Sequence, residues 1–305
     1  MNIASPRWAN LVVETQFATE LTLTGLRRLC SVPTDPALTQ RGSGNLDYAL
    51  HVGMYSYSSG LERLCKLAIA CNAYAATGTF PGLRGYSHKI EKLLDAVEAL
   101  TPTGPGASMH KAEYLIRPVD RLDPDLTKTV ERFAGGAGRY EHLDSLWNDD
   151  TEVSTYIKWS ALAAKVSVSE RVRGLISIKR AAADAIKTDL IDDGLGAAAQ
   201  GPLDDLAIPT FEPSVGVALS LFRKVRWVST ILDVATYYTG KGLPILREVI
   251  SPAFIQSSED FFKYRIARIS DEEVVVEELQ TAFEKMRKRE STMGDEDFEE
   301  NASDT

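Results

Sequence analysis

The run Leu46–Ala76 constrains this chain most. It is long and mostly apolar, carrying Leu50, Val52, Met54, Leu61, Leu64, Leu67 and Ile69. Sustained two-residue alternation is scarce in it, so a helix is expected rather than a strand. Gly53 and Gly60 weaken that helix and mark a kink or a close helix crossing. Three further runs carry the same helical spacing: Trp8–Val32, Glu152–Asp193 and Val215–Tyr238. Between them the chain is punctuated by Pro33 and Pro36, by Gly78, Pro81, Gly82 and Gly85, by the stretch TPTGPGA at 101–107, and by Gly135, Gly136 and Gly138. The pattern predicts an all-α protein.

Shorter elements follow from local signals. Ser87 is placed to N-cap a helix running to about Leu100. Asp123-Pro124-Asp125 reads as a helix start, with proline in the first turn, and that helix should stop at the glycine cluster. Arg139–Trp147 is expected to be a short helical segment, and Met109–Val119 is ambiguous. Glu152–Asp193 suits one helix or two colinear ones. Its outer face holds Lys158, Lys165, Arg171, Arg173, Lys179, Arg180 and Lys187, either a solvated face or a stripe that meets RNA or a partner. Residues 294–305 are acidic and poor in apolar side chains, a composition that predicts disorder.

With 305 residues, 44% of them hydrophobic and 25% charged, the chain can bury a full core. Its net charge of −9 argues against a protein that coats nucleic acid non-specifically, because such binding needs phosphates neutralised by Lys and Arg. A local basic groove remains compatible with it. The cysteines Cys30, Cys65 and Cys71 form neither a disulfide framework nor a zinc pattern and read as small buried hydrophobes. No apolar run approaches the ~20 residues of a membrane helix, and no signal segment opens the chain. A soluble cytoplasmic protein without membrane attachment is expected.

The histidines His51, His88, His110 and His142 show no HxxxH, HExxH or HxH spacing, so no metal site and no cofactor are expected. A GxxxxGK[ST] loop is absent. The glycine cluster at 135–138 lacks the GxGxxG order and follows no strand. The serines of Tyr57-Ser-Ser-Gly60 lack the leading glycine of a nucleophile elbow.

Two arginine–histidine combinations remain, Arg84-Gly-Tyr-Ser-His88 and Arg139-Tyr-Glu-His142. The first belongs to the stretch YSYSSGLERLCKLAIACNAYAATGTFPGLRGYSHKIEKLL at 55–94. That stretch resembles the HEPN superfamily of small α-helical domains, found in prokaryotic RNases, toxins, phage-defence proteins and non-catalytic relatives. The resemblance covers about forty residues closely and the first half of the chain loosely. It implies a HEPN-like helical bundle over residues 1–150; the apolar spacing beyond it predicts a helical region at 151–293 that can pack on the first, followed by the acidic tail at 294–305. It also implies pairing as a homodimer, with the arginine–histidine sets in a shared cleft.

By that resemblance the chain is an RNA-targeting protein of a toxin or anti-phage setting, acting as a metal-independent endoribonuclease. The alternative is a non-catalytic HEPN-like module that binds a protein partner or ligand. The catalytic candidates are Arg139, His142, Arg84 and His88. The RNA-binding candidates are Arg63, Lys66, Arg171, Arg173, Lys179 and Arg180. Catalytic HEPN domains separate their arginine and histidine by four to six residues; here three and two intervene.

The chemistry needs a base of near-neutral pKa for the 2′-OH proton and a cation for the charge on five-coordinate phosphorus, roles that suit histidine and arginine. A helical 139–146 would set Arg139 and His142 on one face. At a helix N-terminus His88 would be held neutral by the helix dipole. Plainer roles stay open for the same residues. His88 would then cap its helix or pack on Tyr86, and Arg139 would pair with Glu141, Asp144 or Asp149. Glu62, Arg63 and Lys66 would form a surface ion-pair set.

Overall fold

The computed structural model describes residues 6–32, 44–100, 106–144, 146–147, 154–167, 213–237, 243, 246–250, 254–255 and 262. Contacts divide the chain into two compact units, Met1–Ser167 with Glu212–Ala267, and Val168–Phe211 with Arg268–Thr305. All the described residues lie in the first. They are helical and contain no strand, so the fold is all-α. In chain order the helices are α1 (Pro6–Cys30), α2 (Gly44–Thr77), α3 (Ile90–Glu98), α4 (Asp123–Ala134), α5 (Glu141–Asp144), α6 (Thr155–Ala164), α7 (Pro213–Thr236) and α8 (Arg247–Ile250). Short 3₁₀ turns occupy Arg84–Tyr86, Ala107–Met109 and Ala112–Leu115.

Helix α2 is buried nearly all round over Gly53–Cys71. A helix of that kind must be enclosed by others, and α1, α3, α4 and α7 surround it. The most extensive of these contacts is with α1. The buried stripe of α1 is Thr15, Ala18, Thr19, Thr22, Gly25, Leu26, Leu29 and Cys30. Most of these are small, and the two backbones come close. A Cβ on Gly25 would lie 2.5 Å from the Tyr57 backbone nitrogen, and one on Gly60 would lie 2.2 Å from Thr22 Oγ1 and 2.9 Å from the Ala18 carbonyl. The Thr15 and Thr22 hydroxyls donate to the carbonyls four residues back, each at 2.7 Å, while the buried Thr19 hydroxyl has no hydrogen-bond partner among the described residues. Of the two readings of Gly60, a close helix crossing is the one observed.

Helix α7 packs against both α2 and α1. Tyr57 Oη donates to the Leu221 carbonyl at 2.9 Å, and burial pushes this phenol well above its usual pKa. Ser214 Oγ accepts from Trp159 Nε1 at 2.8 Å and donates to the Val32 carbonyl at 2.5 Å, tying α6 and α7 to the end of α1. Asp233, with a fully buried side chain, accepts from His110 Nε2 at 2.8 Å and from Arg247 at 2.6 Å. Lys224 meets the Asp123 carboxylate, joining α7 to the start of α4. All three cysteines are buried and unbridged.

Several local expectations change. Helix α3 starts at Ile90, not at Ser87, and its N-cap Lys89 makes no side-chain capping bond. The Glu131 carboxylate of α4 does that work, accepting the Glu91 amide at 2.9 Å. Helix α6 ends at Ala164, so Glu152–Asp193 is not one continuous helix. The helix expected over Arg139–Trp147 shrinks to Glu141–Asp144. Met109–Val119 holds only 3₁₀ turns. The second part of the 152–193 run, Asp260–Arg289 and the acidic tail lie outside the described residues, except for Phe262. Among the described residues no helix is long and apolar enough to cross a membrane.

The α1–α2 crossing gives a direct test. Gly60→Ala should lower unfolding free energy by about 3 kcal/mol, the upper range for overpacking a tight core. Beyond the Thr22 hydroxyl, the Thr22 nitrogen at 2.8 Å and the Ala18 carbonyl at 2.9 Å are backbone and cannot swing aside. Urea denaturation checks the loss, and a change under about 0.5 kcal/mol would mean that the two helices do not touch there.

Candidate functional site

One face of α2 carries Tyr55, Ser59, Glu62, Arg63 and Lys66, spaced three or four apart so that they form a continuous strip. This strip floors a cavity of about 450 Å³. Glu14 of α1 stands on one side. Leu83 and His88 of the α2–α3 connection, and Arg139 beyond α4, also line it. Three permanent cations, Arg63, Lys66 and Arg139, face two carboxylates, Glu14 and Glu62. The groove is therefore locally positive on a chain whose net charge is −9.

Glu62 is the electrostatic centre. The residue is 8% exposed. Its Oε1 accepts from Lys66 Nζ at 2.6 Å, and its Oε2 lies 3.0 Å from His88 Nδ1. Burial acts to raise the Glu62 pKa, but the bonds from Lys66 and His88 outweigh it and hold the carboxyl below its ordinary value of 4.5. His88 is presented from the loop, two residues ahead of α3, and not from the first turn of that helix. Ser87 just before it takes φ +48°, a left-handed conformation unusual for a side-chain-bearing residue.

Arg139 reaches the groove by a different route. Its Nε donates to the Phe133 carbonyl at 2.7 Å and its guanidinium to Ala134 at 3.2 Å. These are the last carbonyls of α4, where a cation complements the helix dipole. The guanidinium also lies over the Tyr55 ring, 4.7 Å from the centroid. Arg63 pairs with Glu14 and sits 4.7 Å over Phe17.

The two sequence combinations are thus each divided. His88 and Arg139 share the groove with Arg63 and Lys66. Arg84 is exposed in its 3₁₀ turn and does not line it. His142 lies on α5 away from the groove, with its ring 4.5 Å from that of His51. Arg139 precedes α5 and turns back onto α4, so it does not share a helical face with His142. Beside His142, Glu141 accepts the Thr155 amide at 2.8 Å, fixing the start of α6. Arg171, Arg173, Lys179 and Arg180 lie outside the described residues.

Sequence reasoning did not bring forward Glu14 or Tyr55 and did not pair Glu62 with His88. The spacing of Glu62 and Lys66 was visible, but 26 residues separate Glu62 from His88. Among the described residues no group of three or more His, Cys, Asp or Glu is arranged to hold a metal ion. No family model, no curated protein and no solved structure matches the chain.

The depressed Glu62 carboxyl has a pH consequence. A carboxyl whose folded pKa is lowered adds stability above its unfolded value, and that share is lost as pH falls through the folded one. Glu62→Gln removes this share. Urea denaturation at pH 5 and pH 3 should show a smaller loss of stability on acidification in Glu62→Gln than in the wild type. Equal losses would show that Glu62 is not held ionised by its partners.

Proposed function

We propose that this chain is a HEPN-like, RNA-targeting protein of the cytoplasmic toxin or phage-defence kind, and that its groove cleaves RNA without a metal ion. One observation carries the reading: a carboxylate-linked imidazole, His88, lines the same groove as Lys66, Arg63 and Arg139. A base and a set of cations are what this cleavage requires.

In the step, the ribose 2′-oxygen attacks the adjacent phosphorus and its proton passes to His88 Nε2. The bond from phosphorus to the 5′-oxygen breaks, and the departing 5′-oxygen takes a proton from water. The products are a 2′,3′-cyclic phosphate and a 5′-hydroxyl. Lys66 and Arg63 offset the charge that grows on the phosphoryl oxygens. Arg139, held against Tyr55 and the end of α4, supplies a fixed positive charge at one end. DNA lacks the 2′-hydroxyl and is no substrate for this step.

The non-catalytic reading has its own observation. Arg139 already donates to two helix carbonyls, and Arg63 already pairs with Glu14. In a module that only binds a partner or ligand, these contacts would be structural ends in themselves.

Purified protein with excess chelator should cut RNA to 2′,3′-cyclic phosphate ends. His88→Ala should lower the rate by about 10² to 10⁴, the usual range for a general base, while remaining folded by far-ultraviolet circular dichroism. His142→Ala and Arg84→Ala should cut at wild-type rates. Absence of cleavage, or cleavage untouched in His88→Ala, would favour the binding module.

We extend the reading to assembly: the chain pairs as a homodimer through its first two helices. Val13 of α1 is 61% exposed and Tyr48 of α2 is 64% exposed, apolar surface that a second copy would cover. Light scattering at micromolar concentration should report twice the 33.5 kDa chain mass. A mass of one chain would remove the homodimer.

A further inference from the structure

We infer that Glu62 is a positioning residue for His88, accepting the Nδ1 proton and thereby leaving Nε2 as the nitrogen that carries the lone pair. This rests on the RNA-cleaving reading of the groove and adds to it the residue that decides which ring nitrogen acts.

A neutral imidazole has one N–H and one lone-pair nitrogen, and the partner of one nitrogen fixes the role of the other. An ionised carboxylate can only accept. Glu62 Oε2 lies 3.0 Å from Nδ1, so Nδ1 must be the donor. Lys66 Nζ at 2.6 Å occupies Oε1 and stops the carboxylate from turning away. The carboxylate itself is anchored on α2, next to the close crossing of α1 and α2, with 11% of its side chain exposed, whereas 57% of the His88 side chain is exposed. The buried member therefore holds the exposed one. On the loop side, the left-handed Ser87 directs the chain immediately before the ring. The bonds from Lys66 and His88 also keep Glu62 ionised, which preserves its acceptor role.

The test is nitrogen-15 NMR of the full-length chain with labelled histidine, read above the imidazole titration. His88 is assigned by its loss in His88→Gln. Wild-type His88 should carry its proton on Nδ1, and Glu62→Ala should shift it toward Nε2. A wild-type proton on Nε2 would overturn the proposal without reference to any variant, and so would a tautomer unchanged in a folded Glu62→Ala. In cleavage assays Glu62→Gln should lower kcat on the order of 10²-fold with KM unchanged. A rise in KM alone would place Glu62 in binding and overturn the positioning role. If RNA is never cut while His88 holds its proton on Nδ1, the proposed activity falls and the Glu62–His88 assignment stands.

Discussion

The approach of α1 to α2 at Gly25 and Gly60 is the constraint on which the rest depends. It sets the separation of two helices whose facing side chains include the paired Glu14 and Arg63. The same closeness explains why α1 buries threonines and alanine. Apolar bulk at Thr22 or Ala18 would force the helices apart, and dispersion contacts fall away quickly with even a small gap. With α1 seated, α2 offers its remaining faces to α3, α4 and α7, and the strip from Tyr55 to Lys66 is left as the floor of a groove.

That floor is electrostatically economical. A carboxylate as enclosed as Glu62 is costly unless its partners are close and well directed. Lys66 and His88 meet that requirement from two directions, one on the same helix and one from a loop. Arg139 is similarly placed by a structural need, since it satisfies the end of α4 before it does anything in the groove. Charges that stabilise the scaffold are thus the same charges that face the cavity, so their placement costs little conformational freedom.

Much of the fold was legible in the sequence because breakers bound the long helices. Pro124 and Gly135 frame α4, and Pro213 and the Gly240–Gly242 stretch stand around α7. The buried face of α1 was legible at Leu26 and Leu29 but not further toward its start, since Phe17 is substantially exposed while Thr15 and Thr22 are fully buried. Approach distance, not hydrophobicity, selected that stripe. Ser87 failed as a cap because Glu131, 40 residues from Glu91, supplies the acceptor. In the groove, His88, Arg139, Arg63 and Lys66 were each recognisable by residue type. Their grouping was not, because the direction of Arg139 is set by carbonyls of α4 and that of His88 by Glu62. No local spacing encodes either.

The bonds that close α7 onto the bundle join segments very far apart in the chain. Tyr57 and Leu221 are 164 residues apart, and Ser214 and Val32 are 182 apart. During synthesis at about 5–20 residues per second, α2 is therefore complete roughly 8–30 seconds before α7 is. Over that interval the face that will hold Tyr57 is open to water and to neighbouring chains. For this protein the window for misassembly is the wait for α7, which closes only once residue 236 has been added.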